Sequence, residues 1–548
     1  MVESSMSNYR RAISYVFITC LLAAMLPSCV RARSSADYRD FKIGENIELR
    51  YWAPAWAYVA GTSHAGEFPM YQKLEELTGV RVIFEHPPFQ TTTLQQLEIL
   101  QSADNLPDII EWNWFQYYPG GAEQAISDGI IVRLDELLPR YAPNMWKLIT
   151  ENEEVARWIS TSSGSYYAFP FLRLAPSLRV IAAPSFKADW LEAVGQSVPE
   201  TVEQWHDVLT SLKEHDFNSY DVGEEYPFLL LAYKTIIDSR LVIPFLLESN
   251  IFASAFGLSH GFYSSEGTFR YGPIEPEYRE MLELLADWFA QGLLHPILAQ
   301  PPYSARGVID VNLLLKSGGW IGDLFSNGGT ASSFRLVYAR PLTRGGTAPV
   351  RYVLDPVYTG GRSAAVSAES ILQVEAVRWL DLAYSAAGNV IFNFGLEGES
   401  YTTDDQSPVL TDDMVEDIRG SYRSGRFWAS ELYKFARGPM GGPYVFSEDF
   451  GFQFAEATGM NTGLWPDTDG ETRAEAVLSF FPEKHLHYES VMDEISQYHL
   501  HNFIAFISGQ RSLNEFPDYV LAIQRLGIQQ AEDILTEAWR DFYAKPVR

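Results

Sequence analysis

The hydrophobic positions along the chain follow a helical period and a strand period in turn. The segment "FPMYQKLEELTG" has apolar residues at helical spacing, and its last residue, Gly79, is a common helix stop signal. The next segment, "VRVIFEH", alternates apolar and polar residues, which is typical of a half-buried strand. The segment "TTTLQQLEILQSADNLPDIIEW" then predicts a helix, a turn and a buried strand. This order predicts an α/β region with a largely parallel sheet.

A second α/β stretch begins with "SLRVIAAPSFK" and is followed by further helical patterns. Thr201 and Gln204 have the spacing of a capping box, which predicts the start of a helix. Helical spacing recurs over residues 277–291 and 371–385, and the chain is mainly helical from residue 486 onward. We therefore expect two α/β regions and a helical C-terminal region.

The first thirty residues have the pattern of a secretory signal. Arg10 and Arg11 precede an apolar run, residues 12–25, that is too short for a typical membrane-spanning helix. The next four residues, "LPSC", end at Cys29 and resemble the bacterial lipobox, in which the chain is cut before a cysteine that becomes lipidated. An ordinary secretory signal and a buried helix are the alternative interpretations.

The polar residues that follow Cys29 favour a tether over a buried helix. We expect residues 1–28 to be a signal peptide and residues 29–45 to be a tether with a lipid on Cys29. The protein would then be extracytoplasmic, at the cell surface or in the periplasm, and held to the membrane by the lipid anchor only.

Composition and charge limit the classes of protein. A chain of 548 residues is too long for one ordinary core, so at least two lobes are expected. The formal net charge of −29 disfavours binding to nucleic acid, because the phosphate backbone repels an acidic surface. The only cysteines are Cys20 and Cys29, so the rest of the chain has no disulfide, thiolate metal site or catalytic cysteine.

Several segments, taken together and in order, resemble a known family. They are "KLEELTGVRV", "SADNLPDII", "YYPGGAEQAISDGIIVRLDELLPRYAPNM", "NFGLEGESYTTDD" and "FISGQRSLNEFPDYVLAIQRLG". The family is extracellular solute-binding protein family 1, in its lipoprotein branch of ABC sugar importers, which is related to maltose-binding protein. The segments span nearly the whole chain after the predicted signal.

The resemblance implies an α/β, bilobal, periplasmic-binding-protein-like fold of type II, in which two α/β lobes close by a hinge. It also implies chain crossings between the lobes, which we place near residues 172, 354 and 410. The expected lobes are discontinuous: an N-lobe of residues 46–172 plus 355–410, and a C-lobe of residues 173–354 plus 411–548.

The implied function is the capture of an oligosaccharide for an ABC importer, without catalysis. The expected partners are the oligosaccharide and the transmembrane subunits of the permease, and the expected state is a monomer. A secreted carbohydrate-active enzyme, hydrolase or lyase, and a surface sensor that presents its ligand are the alternatives. Sequence motifs such as Gly-x-Ser-x-Gly and His-Glu-x-x-His are missing from the chain, which disfavours the enzyme.

A sugar site needs aromatic platforms and polar groups that pair with hydroxyls, and ligands of open α/β sheets lie at strand ends. By the family resemblance, Trp112 aligns with a ligand-contacting tryptophan of maltose-binding protein, and "SGGWIGDLF" corresponds to a loop that carries a stacking aromatic. We expect this segment to be a turn loosened by glycines. The candidate ligand-binding residues are Trp52, Trp56, Trp112, Trp114, Arg179, Trp320, Asp323, Glu397 and Tyr401.

For each candidate a structural role in a core, a turn or a solvated strand stays open. Whether the ligand is neutral or anionic is also open, since Arg179 in the cleft would favour an anionic saccharide.

The segment "DFNSYDVGEEYP" lies where some relatives carry a calcium loop. Asp216, Asn218 and Glu224 fit ligand positions of such a loop, but Tyr220 and Pro227 occupy two others and cannot supply the usual carboxylate or amide oxygen. We therefore expect no cofactor and no metal, with a weak calcium loop as the alternative.

Overall fold

The computed structural model describes most of the chain after the predicted signal. The described residues are 38, 41–54, 65–88, 91–102, 105–114, 117–180, 182–217, 224–230, 235–237, 240–242, 250–259, 261–299, 311–323, 334–340, 342–345, 353–358, 363–424, 430–437, 441–458 and 471–547. The predicted signal peptide, the lipidation site Cys29, Trp56 and Asn218 lie outside these residues.

Nineteen α-helices are described, and they are numbered here in chain order. They are α1 (Pro69–Thr78), α2 (Thr93–Gln101), α3 (Gly121–Ser127), α4 (Leu138–Tyr141), α5 (Pro143–Glu151), α6 (Glu153–Trp158), α7 (Ala188–Ala193), α8 (Val202–Glu214), α9 (Asn250–Ser254), α10 (Pro276–Ala290), α11 (Val311–Leu315), α12 (Gln373–Asp381), α13 (Ala386–Phe394), α14 (Asp412–Arg423), α15 (Leu432–Phe435), α16 (Glu448–Thr458), α17 (Pro482–Ile507), α18 (Phe516–Arg525) and α19 (Ile528–Ala544).

Seventeen strands are described in the same residues. They are β1 (Ile47–Trp52), β2 (Val80–Glu85), β3 (Ile109–Trp112), β4 (Phe169–Pro170), β5 (Ala182–Lys187), β6 (Tyr226–Leu229), β7 (Thr235–Ile237), β8 (Arg240–Val242), β9 (Phe262–Ser265), β10 (Thr268–Tyr271), β11 (Ser317–Asp323), β12 (Leu336–Tyr338), β13 (Val353–Leu354), β14 (Ser363–Val366), β15 (Tyr401–Asp404), β16 (Ser407–Leu410) and β17 (Glu471–Thr472).

Local sequence signals explain several of these boundaries. Gly79 ends α1 in the left-handed conformation, with φ of 73°, as the stop signal predicts. Thr201 and Gln204 form the predicted capping box at the start of α8, since each side chain bonds the other residue's backbone N–H. Helix α10 covers most of the predicted helix at 277–291.

The first sheet has the strand order β2-β1-β3-β14-β4. Strand β1 is parallel to β2 and β3, whereas β14 is antiparallel to β3 and β4. Because β14 follows β12 and β13 in the chain, this sheet receives a strand from a distant part of the sequence.

The second sheet has the order β12-β5-β11-β6, in which β5 is antiparallel to β11 and β12, and β6 is parallel to β11. The two sheets and their surrounding helices give the expected mixed α/β architecture. Residues 41–44, at the end of the predicted tether, already belong to the folded part, since Phe41 is buried and Ile43 N–H donates to Thr78 O.

Three chain segments run side by side at the junction between the two sheets. Arg173 N–H donates to Val357 O and Asp355 N–H donates to Arg179 O, each at 2.9 Å. Strand β13 pairs in parallel with β17, and Arg473 N–H donates to Leu354 O at 3.0 Å. The residues near 172 and 354 lie in this junction, whereas its third segment is 471–473 and not the region near 410. The three crossings and the division of the chain into lobes stay predictions.

The C-terminal region is helical, as expected, and α19 packs against α17, β10 and the 3-10 helix at Ala474–Phe480. In the described part of the chain, none of the helices is both long enough and apolar enough to span a bilayer.

Candidate functional site

Two of the candidate tryptophans of the first sheet lie on the same face of that sheet. Trp52 is the last residue of β1 and pairs in register with Ile110 of β3, so Trp52 and Trp112 project from the same face. Both side chains are buried, with 4% of Trp52 and 1% of Trp112 exposed. They occupy the C-terminal ends of parallel strands, the edge at which we expect a ligand to bind.

Trp112 and Trp114 pack against each other edge to face, with ring centroids 5.6 Å apart. Their indole N–H groups differ. Trp114 Nε1 donates to Ser363 O at 3.2 Å, whereas Trp112 Nε1 is buried and has no hydrogen-bond partner among the described residues. Since buried indole N–H groups usually find an acceptor, Trp112 keeps a donor that a ligand oxygen can satisfy.

Trp320 has the same property in the second sheet. It lies on β11, pairs with Ser185 of β5 and Leu229 of β6, and is 1% exposed. Its Nε1 also lacks a partner in the described part of the chain. Trp205 and Trp379 share this feature, and all four indoles are buried in the hydrophobic core, so an unpartnered indole suggests a site only together with its place in the sheet.

The glycine-rich segment around Trp320 is a strand, and the predicted turn is wrong over residues 317–323. The glycines are required by close packing. A Cβ on Gly318 would lie 2.8 Å from Pro227 O and 2.9 Å from a ring carbon of Trp190, and one on Gly319 would lie 2.5 Å from Ser185 O. Asp323 ends this strand opposite Ala182, and its side chain is outside the described residues.

Arg179 connects the three segments of the junction. Its Nε donates to Asp355 O at 2.6 Å, and its Nη2 donates to Thr472 Oγ1 at 3.1 Å and lies 3.3 Å from Glu154 Oε1. Only 7% of the residue is exposed. These contacts hold the guanidinium at the junction, and its role in ligand binding stays a prediction.

Glu397 lies in the turn that precedes the β15–β16 hairpin, and Tyr401 is the first residue of β15. Glu397 accepts a hydrogen bond from Thr403 Oγ1 at 2.7 Å, and Glu397 and Tyr401 form an isolated bridge. Tyr401 is buried beside Phe394, and burial raises the pKa of its hydroxyl above the ordinary value. These contacts connect the pair to its own hairpin and to Phe394 of α13, and Tyr401 also forms a side-chain hydrogen bond with Tyr38. Among the described residues, none of these contacts reaches Trp112 or Trp320.

A buried polar network lies on the opposite face of β3 and was not anticipated from the sequence. Glu111 accepts hydrogen bonds from Tyr51 Oη at 2.7 Å and from Arg437 Nη2 at 2.9 and 3.0 Å. Arg437 Nη1 also donates to Tyr71 Oη at 3.1 Å. Burial and the neighbouring Glu111 charge raise the pKa of Tyr51 well above its ordinary value. The sequence signal available was the charged residue within the apolar run "IIEW".

At the ends of the candidate calcium loop, the side chains of Glu224 and Glu225 accept hydrogen bonds from other residues of the same segment. Phe217 N–H donates to Glu225 Oε2 at 3.1 Å, and Tyr226 Oη donates to Glu224 Oε2 at 2.9 Å. Within the described residues, no group of three His, Cys, Asp or Glu side chains is arranged to hold a metal ion. Residues 218–223 are outside that set.

Comparisons with known proteins agree with this architecture. No protein-family model matches the chain. Over 300 residues the chain is 23% identical to the fructooligosaccharide ABC transporter substrate-binding protein FusA of Streptococcus pneumoniae serotype 4, which covers 51% of this chain and 52% of FusA. The match therefore spans about half the length of this curated relative.

Solved structures resemble the chain over a larger share of its length. An extracellular solute-binding protein from Bifidobacterium longum subsp. infantis has a TM-score of 0.64 at 16% identity, covering 93% of this chain and 99% of that protein. The S. pneumoniae FusA complex with kestose has a TM-score of 0.60 at 17% identity, covering 91% of this chain and all of that protein.

The fold is that of the bilobal solute-binding proteins. The expected resemblance to the solute-binding proteins of ABC sugar importers is confirmed by the distant sequence relative and by the solved structures.

Proposed function

We propose that this protein is an extracytoplasmic solute-binding protein that captures an oligosaccharide for an ABC importer by hinge closure. The observation that carries the proposal is the junction, where residues 172–179, 354–357 and 471–473 lie side by side between the two sheets. Adjacent crossing segments allow two lobes to rotate about a common axis. The names of the relatives, which include a fructooligosaccharide-binding protein, support an oligosaccharide ligand.

Ligand-driven closure requires contacts from both lobes, because only a difference in affinity between open and closed states shifts their balance. We propose Trp112 in the first sheet and Trp320 in the second as such contacts. Each is a tryptophan on a strand of its sheet and has a buried indole N–H without a partner among the described residues. Trp52, Trp56, Trp114, Arg179, Asp323, Glu397 and Tyr401 remain further candidates.

In this proposal the protein binds the oligosaccharide and does not catalyse a reaction on it. FusA and the solved relatives are named as substrate-binding or solute-binding proteins. Glu111, the buried carboxylate next to Trp112 in sequence, is held by Arg437 and Tyr51 on the other face of β3. Incubation with oligosaccharides followed by chromatography tests the enzyme alternative, and the appearance of shorter products would replace the transport proposal.

A thermal-shift panel tests the ligand class. The purified protein, without residues 1–28, is heated with kestose, maltotriose, cellotriose and trigalacturonate. A saccharide at 100 times its Kd adds about 2.7 kcal/mol to the free energy of unfolding and raises the Tm. The absence of a shift with every saccharide would remove the oligosaccharide proposal, and a shift with trigalacturonate alone would assign an anionic ligand.

The remaining parts of the proposal concern attachment, partners and cofactors. Cys29 is proposed as the lipidated residue, so Cys29→Ala should abolish incorporation of radiolabelled palmitate and release the protein from membranes.

The permease should co-purify with the ligand-bound form, and light scattering should give the mass of a monomer. No metal is proposed, so addition of EGTA or calcium should leave the Tm unchanged.

A further inference from the structure

Lys187 is a buried lysine whose ammonium group lies between two aromatic rings. The residue ends β5 and is 3% exposed. Its Nζ is 4.3 Å from the ring centroid of Trp190 and 4.3 Å from that of Phe334, and it donates to Leu315 O at 2.8 Å. Two aromatic faces and a carbonyl oxygen form a binding site for a cation, here occupied by the chain itself.

One ring of this box also contacts the candidate ligand residue of the second sheet. The Phe334 centroid lies 5.8 Å from that of Trp320, with the rings edge to face. Ser185 pairs with Trp320 across the strands, and Lys187 is two residues further along β5 and therefore on the same face of the sheet. The ammonium, Phe334 and Trp320 thus form one continuous row.

The other wall of the box is fixed by packing. Trp190 stacks on Phe217 with centroids 3.9 Å apart and an interplanar angle of 5°. A Cβ added at Gly318 would lie 2.9 Å from a carbon of the Trp190 ring, so the absence of a side chain at this position leaves room for the ring. Because Trp190 is held firmly, the attraction of the cation acts mainly on Phe334.

We propose that the Lys187 ammonium is a positioning group for the ligand-binding face of Trp320, acting by holding Phe334 against the indole. This inference rests on the proposed function, in which Trp320 contacts the saccharide. Lys187 itself does not touch the saccharide in this proposal, so its effect on binding is transmitted through Phe334.

The Lys187 ammonium changes its protonation state within the physiological pH range. Burial lowers the pKa of Lys187 to about 7, and the nearby charge of Glu225 opposes that shift. Among the other charged groups on the packed elements, Arg335 forms ion pairs with both Asp189 and Glu192.

Lys316 follows Leu315, whose carbonyl accepts the bond from Lys187 Nζ. Burial lowers the pKa of His295, and the Lys316 charge adds to that shift. Glu224 accepts the bond from Tyr226 Oη. Protonation of Lys187 below about pH 7 completes the cation–aromatic box, and deprotonation above it weakens the hold on Phe334.

The test compares wild type, Lys187→Met and Lys187→Arg by calorimetric titration with the saccharide that gives the largest shift in the panel. Wild-type affinity should fall by about three- to tenfold between about pH 6 and pH 8.5, which is less than the full strength of a desolvated cation–aromatic contact because the effect reaches the saccharide through Phe334. Lys187→Met should have the weaker affinity at every pH, and Lys187→Arg should keep the stronger affinity at every pH. A wild-type pH profile retained in Lys187→Met would overturn the inference.

Lys545→Met is the matched control, because Lys545 also lies between two rings, Phe480 and Phe542, at 4.0 and 4.5 Å. It should leave the affinity and its pH profile as in wild type.

A measurement without saccharide separates this inference from the proposed function. In protein labelled with 5-fluorotryptophan, the 19F signal of Trp320, assigned with Trp320→Phe, should titrate near pH 7 and lose this titration in Lys187→Met. If no saccharide binds, that signal still decides the inference, and a Trp320 signal that does not titrate contradicts it.

Discussion

Arg437 Nη2 lies 2.9 Å from Glu111 Oε1 in the interior of the first sheet region, although 326 residues separate the two in sequence. The side chains are 12% and 2% exposed, respectively, so the pair is shielded from water. This contact fixes the segment after α15 onto the central strand β3.

Loss of one partner of this pair should destabilise the protein strongly. Arg437→Met leaves the Glu111 carboxylate buried with only Tyr51 as a described partner that donates to it, and removal of one member of a buried pair costs about 3–5 kcal/mol. Urea unfolding measures the loss. The double variant Glu111→Gln with Arg437→Met should lose less than the sum of the two single variants. Additive losses would show that the two groups do not depend on each other.

Trp112 and Trp114 should separate into a ligand-binding and a structural tryptophan. Trp112→Phe keeps an aromatic face and removes the unpartnered N–H, so saccharide affinity should fall about tenfold while the Tm changes little. Trp114→Phe removes the donor to Ser363 O and should cost about 1 kcal/mol of stability with nearly unchanged affinity. Calorimetric titration and thermal unfolding of both variants distinguish them, and the reverse pattern would make Trp112 a core residue.

Gly318 should tolerate no side chain, in contrast to Gly420 on α14. Gly318→Ala places a methyl group against Trp190 and Pro227 O, and such overpacking costs about 1–3 kcal/mol. Among the described residues, no heavy atom outside the local helix lies within 4 Å of a Cβ on Gly420, so Gly420→Ala should be neutral or add up to about 1 kcal/mol. Equal Tm values for the two variants would contradict the packing argument for Gly318.

The elements of the first sheet could be predicted from the sequence because their signals are local. Helix α1 ends at the predicted Gly79, and β2 has the alternating burial that "VRVIFEH" predicts. The glycines of "SGGW" led to the wrong prediction of a turn, because the sequence shows that a side chain is absent but not why it is absent. Here that cause is the close approach of Trp190 and neighbouring strands, which is a tertiary contact.

The candidate site could be predicted only in outline. The position of Trp112 at the end of β3 follows from its place after an apolar run. The partner of Glu111 is distant in sequence, so no spacing rule indicates Arg437. The burial of Lys187 depends likewise on rings from α7 and from the chain before β12.

Lys545 provides a test of how a buried lysine alters stability with pH. Its Nζ donates to Ser160 O at 2.9 Å and lies over the rings of Phe480 and Phe542. Burial, with a smaller effect of the Arg157 charge, lowers the pKa of Lys545 to about 6 from an ordinary value of 10.5. The folded protein therefore releases this proton at a lower pH than the unfolded chain does.

The direction of the effect follows from proton counting. Between about pH 6 and pH 10.5 the unfolded chain holds the Lys545 proton and the folded protein does not, so the contribution of this group to stability rises with pH. The slope is at most about 1.4 kcal/mol per pH unit for one proton. Below about pH 6 both states are protonated, and the full cost of burying the charge is present.

Lys545→Met removes this titration and keeps an apolar side chain between Phe480 and Phe542. The variant should therefore gain most over wild type near pH 6, and its advantage should shrink steadily as the pH approaches 9. Urea unfolding of both proteins at several pH values gives the difference directly, and other titrating groups cancel because they are common to both. A difference in the free energy of unfolding that stays constant over this range would show that Lys545 keeps its proton in the folded state.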